Sequence, residues 1–212
     1  MGKPIVCIVA ALCPQMGIGF RGGLPWKLSR EMKYFRQVTT STFTQDKSNA
    51  VIMGRRTWES IPARFRPLKN RINVVLSKKF PNFQRDNDRY LSNDLSEAIR
   101  SLQTLPVERI YIIGGAQLYA ESIDIATHWL VTKIYFEPHD QQQPQQAPPV
   151  DTFLPRLTHH SEASPERLAE FLPTQVELPP LQTLQYGRRH YNTQDNYTYW
   201  YTLYNNNSIN TT

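Results

Sequence analysis

Four stretches of the chain place chemistry-bearing residues where a fold could use them. Gly17-Ile18-Gly19-Phe20-Arg21-Gly22 spells G-x-G-x-x-G directly after an apolar run. In a dinucleotide-binding turn, those glycines let backbone approach a pyrophosphate that lies on the N-terminus of a helix starting inside the motif. Here Pro25 and Trp26 follow, and helical periodicity begins only at Leu28. The acidic ribose ligand expected at the end of the second strand is missing, since that strand closes Ile52-Met53-Gly54. The stretch reads as a mobile glycine-rich loop, which beside a pocket could act as a lid.

The other three are strand ends: Met53-Gly54-Arg55-Arg56-Thr57, Leu76-Ser77-Lys78-Lys79 and Ile113-Gly114-Gly115-Ala116. The first offers backbone N–H groups beside two guanidinium groups, the second a hydroxyl beside two amines, the third bare backbone. Each alone also describes a solvated loop. Aligned on one sheet edge, they would make a site for an anion with several phosphates. With no carboxylate at these ends, a cofactor with an extra ribose phosphate is favoured over one with a bare 2′-hydroxyl. Glu31 remains open between two readings, an ordinary surface carboxylate or a charge turned into a pocket.

These residues need a scaffold, and the apolar pattern supplies one. Ile5–Leu12 is a continuous apolar run, the mark of a strand buried on both faces. Leu28–Val38 has helical spacing through Leu28, Met32, Phe35 and Val38. Strands are predicted at Ala50–Met53, Ile72–Leu76, Arg109–Ile113 and Trp129–Phe136, and helices at Asp94–Leu105 and Ala116–Ser122. Alternation of this kind calls for a single-domain α/β fold, a mostly parallel central sheet of about eight strands flanked by helices. Tyr197–Tyr204 is the expected antiparallel last strand, with Gln175–Leu178 able to pair beside it. The domain is taken as residues 1–204. Pro138–Val150, rich in Gln and Pro, reads as a disordered insertion, and Asn205–Thr212 as a disordered polar tail.

The 212 residues carry 24 basic and 18 acidic side chains, a mild excess that does not by itself suggest nucleic acid or membrane surface. No apolar run nears the ~20 residues that span a bilayer, and no signal-peptide core is present. Cys7 and Cys13 lie at the two ends of one predicted strand, too far apart to bridge, and show no metal spacing. A reducing compartment, the cytosol, is expected.

Several motifs then resemble one family. Cys7-Ile8-Val9-Ala10-Ala11, Met16-Gly17-Ile18-Gly19, Leu24-Pro25-Trp26 and Glu31-Met32-Lys33-Tyr34-Phe35 are similar to the dihydrofolate reductase family. So are Val51–Pro62, Arg66-Pro67-Leu68, Arg71–Ser77, Ile112–Gly115, Val131-Thr132-Lys133 and Asp151-Thr152-Phe153. The match covers about residues 4–155 plus the last strand, and Trp58-Glu59-Ser60 and Glu170–Pro180 look fungal.

The resemblance implies NADPH-dependent reduction of 7,8-dihydrofolate to tetrahydrofolate, with hydride to C6 and a proton to N5, supplying one-carbon and thymidylate metabolism. It turns Glu31 toward the pterin, as a two-point acceptor for the 2-amino group and N3. Trp26 would hold a structural water near Glu31, and Thr132 would brace the same amino group. Ile8, Val9, Met32, Phe35, Ser60, Ile61, Leu68 and Ile113 would wall the substrate, with Tyr119 at the nicotinamide end. Arg71 would clamp the α-carboxylate of the glutamate tail. For NADPH, the resemblance implies contacts from Ala10 and Ile18 and a lid of Gly17, Ile18, Gly19, Phe20, Arg21, Gly22, Gly23 and Leu24, tethered by Asp151. Gly54, Arg55, Arg56 and Thr57 would take the pyrophosphate side, and Leu76, Ser77, Lys78 and Lys79 the 2′-phosphate. Gly114, Gly115, Ala116, Gln117, Leu118 and Tyr119 would form the remaining edge. The implied protein acts as a monomer, needs no metal, and is a target for antifolates.

The chain departs from the family at Arg56 and Lys78, where Lys and Arg are usual. Lys78 keeps the charge but loses the planar fork of a guanidinium. Met32 stands where an aromatic is common, giving a softer wall. A pyrimidine reductase of riboflavin synthesis shares the fold but should lack the Leu24-Pro25-Trp26…Glu31 pairing. A nucleic-acid-binding module would need Lys and Arg among the aromatics of Tyr197–Tyr204, and there are none.

Overall fold

The computed structural model describes residues 2–138 and 146–209. Its strands are β1 (Ile5–Leu12), β2 (Gly17–Gly19), β3 (Ser48–Gly54), β4 (Arg71–Leu76), β5 (Gln84–Asp86), β6 (Arg89–Ser92), β7 (Val107–Ile112), β8 (His128–Phe136), β9 (Thr152–Phe153), β10 (His160–Glu162), β11 (Leu181–Leu184), β12 (Gly187–Gln194) and β13 (Tyr197–Asn206). The α-helices are α1 (Ser29–Thr40), α2 (Arg55–Ser60), α3 (Leu95–Gln103), α4 (Ala116–Ser122) and α5 (Pro165–Phe171).

The main path of the sheet runs β11-β12-β13-β8-β1-β7-β3-β4-β6-β5. Its centre, β8-β1-β7-β3-β4-β6, is parallel throughout, and both margins are antiparallel. The apolar run of β1 is explained by its place: Val6, Ile8 and Leu12 face one layer, with Tyr34 and Val38 of α1 and Leu168 of α5. Cys7 and Val9 face the other, with Leu95, Ala98 and Leu102 of α3 and Leu118 of α4. Cys7 and Cys13 are buried and unpaired.

Helix starts fall into two kinds. Asp94 caps α3 by accepting from Glu97 N at 2.8 Å, and Ser164 caps α5, with Pro165 in its first turn. Helices α2 and α4 begin at Gly54 and Gly115, with no capping side chain. Their first N–H groups are left for something else.

The sheet is larger than about eight strands, because short pieces (β2, β5, β9, β10, β11) add to its margins. Gln175–Leu178 does not pair beside the last strand. Val176 is buried in the core instead, and Glu177 reaches back to Lys33 at 2.6 Å. The partner of β13 is β12, joined to it through a tight turn at Asp195, whose φ is 52°. The sequence Gly187–Gln194 is too polar to announce a strand: its first residues are exposed, and two of the three buried residues at its centre, His190 and Asn192, are polar. Strand β13 runs to Asn206, whose side chain is buried and donates to Ile123 O and Ala126 O, so it extends two residues into the expected tail. The glycine-rich stretch is not a free loop throughout: β2 pairs with β1 and β9, and Phe20 and Gly23 exchange backbone bonds at 2.9 and 3.0 Å. Of the Gln/Pro-rich segment, residues 139–145 lie outside those described; Val150 packs on the core.

Candidate active site

At the carboxyl ends of β1, β3, β4 and β7 lies a cleft of about 1990 Å³. Parallel sheets leave their ligand sites at this edge, where connections diverge to opposite faces. The cleft has two arms of different character.

The first arm is apolar around one carboxylate. Ile8 and Val9 come from β1, Met32 and Phe35 from α1, and Ile61, Leu68 and Ile113 close the wall. Met32 is 50% exposed although apolar, because it faces the open cleft. Glu31, one residue earlier on α1, is turned inward and 6% exposed. Its Oε1 accepts from Thr132 Oγ1 on β8 at 3.2 Å, across 101 residues of sequence. Burial pushes the Glu31 carboxyl up from its ordinary value to about 7, against the opposing pull of the Thr132 hydroxyl. Trp26 is also buried, and its indole N–H meets no acceptor among the described residues, leaving a buried donor for a ligand or water. Trp26 and Thr132 stand behind the wall rather than in it.

Arg71 ends this arm. Its Nη1 donates to Thr39 Oγ1 at 2.8 Å and its Nε to Lys69 O at 2.9 Å, which fixes the guanidinium plane and leaves other N–H groups uncommitted. Burial and then the like charge of Arg36 push Arg71 down to about 10. A cation so destabilised by its surroundings is primed for an anion.

The second arm is basic and floored by backbone. Gly54 N donates to Gly114 O at 2.8 Å, which brings the uncapped starts of α2 and α4 side by side. Gly114 has φ of 106°, and a Cβ there would stand 3.1 Å from the Tyr119 ring. Only glycine suits both conditions. Tyr119 is pinned by its hydroxyl, which donates to Ile8 O at 2.7 Å. Gly115, Ala116, Gln117 and Leu118 continue the floor, while Arg55, Arg56, Thr57, Leu76, Ser77 and Lys78 form the rim. Arg55 is engaged by Glu59 at 2.7 Å.

Ala10, Ile18, Gly19, Gly22, Gly23 and Leu24 close the junction of the arms, and Ser60 lies at the entrance. Asp151 ties this flap down: its Oδ2 accepts from Arg21 N at 2.8 Å, and its own N–H donates to Gly19 O at 3.0 Å. Gly17, Phe20, Arg21 and Lys79 do not line the cleft. Gly17 is packed against Val150, where a Cβ would meet side-chain carbon at 2.6 Å, so its glycine serves packing. Arg36, Arg64, Phe65, Lys69 and Asn70 line the cleft without having been singled out in the sequence. Arg36 sits one helical turn beyond Met32 and could have been read from that spacing.

A desolvated carboxylate in an apolar arm, joined to a basic arm floored by backbone at parallel strand ends, makes this an α/β protein with a two-armed cleft. Comparison with known proteins agrees. The family model for dihydrofolate reductase matches residues 5–167. The chain is 49% identical over 211 residues to Dihydrofolate reductase of Saccharomyces cerevisiae, covering 95% of this chain and 96% of that one. It is 44% identical over 137 residues to the Candida albicans protein of the same name (63% and 70% covered), and 38% identical over 164 residues to that of Mus musculus (74% and 81%). The chain belongs to the dihydrofolate reductase family.

Proposed function

We propose that this chain reduces 7,8-dihydrofolate to 5,6,7,8-tetrahydrofolate, using NADPH. The observation that carries the reading is Glu31: a carboxylate with no basic partner among the described residues, held by Thr132 in an apolar arm that opens onto a basic one.

The residues present fit the cofactor. The uncapped starts of α2 and α4 offer backbone N–H groups to a pyrophosphate, with Arg56 beside them. Ser77 and exposed Lys78 offer donors for a ribose phosphate, and no carboxylate stands among the rim residues Leu76, Ser77 and Lys78. Bound there, NADPH supplies the hydride that the pterin C6 receives.

The chain's own part is recognition and proton management. Glu31 accepts from the 2-amino group and N3 of the pterin in a paired, charge-assisted contact. Thr132, already bonded to Oε1, holds the carboxylate plane. A carboxyl poised near 7 can keep or release a proton at working pH, so Glu31 favours protonation at N5, which makes C6 electron-poor. The apolar walls exclude bulk water and let that charge act at short range. Arg71 pairs with the glutamate-tail carboxylate, and the flap from Gly17 to Leu24, tied by Asp151, covers the junction. No helix among the described residues is long and apolar enough to cross a membrane. Two buried free thiols suit a reducing compartment, and we place the protein in the cytosol as a monomer. The test is loss of reduced-nicotinamide absorbance with NADPH, with and without dihydrofolate. Oxidation independent of dihydrofolate, or none with it, overturns the reading.

A further inference from the structure

At the opposite edge of the sheet, a second cavity of about 360 Å³ lies between α5 and the starts of β7 and β8. Its centre is Arg109, on β7, 8% exposed. The guanidinium is stacked between two rings, 4.2 Å from the Phe171 centroid and 4.8 Å from that of Phe43. Among the described residues no carboxylate is within ion-pair distance of it, and its Nη1 is enclosed without an acceptor. Glu108 accepts from Phe43 N at 2.7 Å and Thr44 N at 2.8 Å. Glu170 and Arg167 both line the cavity and neutralise one another, paired at 2.6 Å, which leaves Arg109 as the unpaired charge of the lining. A guanidinium taken out of water without a counter-charge is costly, and stacking on rings offsets only part of that cost.

His128 lines the same cavity and selects among anions. Its Nδ1 lies 2.9 Å from Thr127 Oγ1. That hydroxyl already donates its proton to Ile5 O at 2.9 Å, so toward His128 it accepts, and Nδ1 carries the hydrogen. Burial and then the Arg109 charge push His128 down to about 4, so at neutral pH the ring is uncharged. Nε2 is then a lone pair on the side turned away from Thr127. A carboxylate or sulfate, with oxygens that only accept, meets that lone pair unfavourably. An oxyanion that also carries an O–H meets it as a donor.

We propose that this cavity is a binding site for inorganic hydrogen phosphate, with its acceptor oxygens on the Arg109 fork and its P–OH donating to His128 Nε2. Asn205 also lines the cavity, and its side-chain amide is of a type that could add a further donor. The site is separate from the cleft, which lies beyond the opposite, carboxyl end of β7 and shares no lining residue with it.

The experiment uses the protein saturated with NADP⁺, so that the phosphate-binding arm of the cleft is filled. Inorganic phosphate, sulfate and acetate are titrated in turn at neutral pH and constant ionic strength. The His128 imidazole resonances are followed by NMR. Phosphate should shift them saturably, and sulfate and acetate should bind at least about tenfold more weakly, the cost of leaving Nε2 unpaired. Arg109→Met should lose the phosphate response and keep its turnover. If that variant does not fold, His128→Asn, followed through the Asn205 amide, should bring phosphate and sulfate to similar affinity. Equal responses to phosphate and sulfate in the wild type, a phosphate response surviving in Arg109→Met, or unchanged discrimination in His128→Asn would each overturn the assignment.

Discussion

In the apolar arm of the cleft the one carboxylate among the described residues, Glu31, is 6% exposed, bonded to one hydroxyl and set among apolar side chains, with Arg71 at the arm's far end. In the basic arm Arg56 and Lys78 stand exposed, and much of the surface is backbone at Gly54, Gly114 and Gly115. On the proposed function, the contrast follows what each arm has to do. A group that must tune a proton gains from desolvation, because its charge acts strongly at short range and its own affinity for protons is raised. Groups that must hold and release a highly charged ligand do better in solvent, where each contact is weak and several act together. Substitutions in the two arms should therefore differ in size, in salt sensitivity and in pH dependence.

The sharpest break is Glu31→Gln. It keeps shape and removes the charge, so turnover at neutral pH should fall by about 10²–10⁴-fold while NADPH affinity is unchanged. Partial recovery at low pH is expected, where solvent supplies the proton. Steady-state rates across pH, with cofactor binding followed by fluorescence, check both halves, and full activity at pH 7 would remove Glu31 from the mechanism.

The same variant tests the burial of the charge. The folded Glu31 carboxyl titrates near 7, against an ordinary value of 4.5 in the unfolded chain. Between those values the folded state binds more protons, so wild-type stability falls as pH rises through that window and stays lower above it. The difference is about 3 kcal/mol by linkage. Denaturant melts at pH 5 and pH 8 should show Glu31→Gln gaining on the wild type at the higher pH. A parallel pH profile for the two proteins would mean that the carboxylate is well solvated.

Arg71→Leu should cost about 2–3 kcal/mol in apparent dihydrofolate affinity, read in KM rather than kcat. A pteridine lacking the glutamate tail should bind both proteins alike. Equal losses for the two ligands would make Arg71 a strut for Thr39 and Lys69 instead. In the solvent-exposed arm the effects shrink. Lys78→Ala should weaken NADPH by about 1 kcal/mol and leave NADH nearly untouched, with a smaller penalty at high salt. Lys78→Arg should tighten NADPH. A penalty shared by both cofactors would place Lys78 outside the ribose-phosphate site.

Much of this fold could be read in the sequence because its central strands are buried on both faces. Ile5–Leu12 and the helix Ala116–Ser122 need no long-range information to be recognised. Strand β12 could not be read, since Arg188, Arg189, Asn192 and Thr193 break any apolar alternation and the strand is held by its pairing with β13 on one side and β11 on the other. Glu31 shows the same limit in the site. Helical spacing put it at the edge of the apolar stripe, but whether it turns in or out depends on Thr132, a hundred residues away and brought close by the register of β8 beside β1. The strand-end glycines and basic pairs were legible as types. Their shared edge became visible only with the parallel order of β1, β7, β3 and β4.

Cys7 sits in β1, inside the parallel part of the sheet, fully enclosed, with β7 on one side and β8 on the other. Burial also pushes its thiol well above the ordinary range, so the reactive thiolate is suppressed in the folded molecule. An alkylating reagent can therefore reach this sulfur only when the central strands part. At reagent concentrations where reclosing outpaces the chemistry, the labelling rate reports the fraction of molecules with the sheet open. A ligand that binds only the closed form should slow labelling by the factor 1 + [L]/Kd. One native atom thus serves as a built-in gauge of ligand occupancy in the cleft, readable by mass without following turnover.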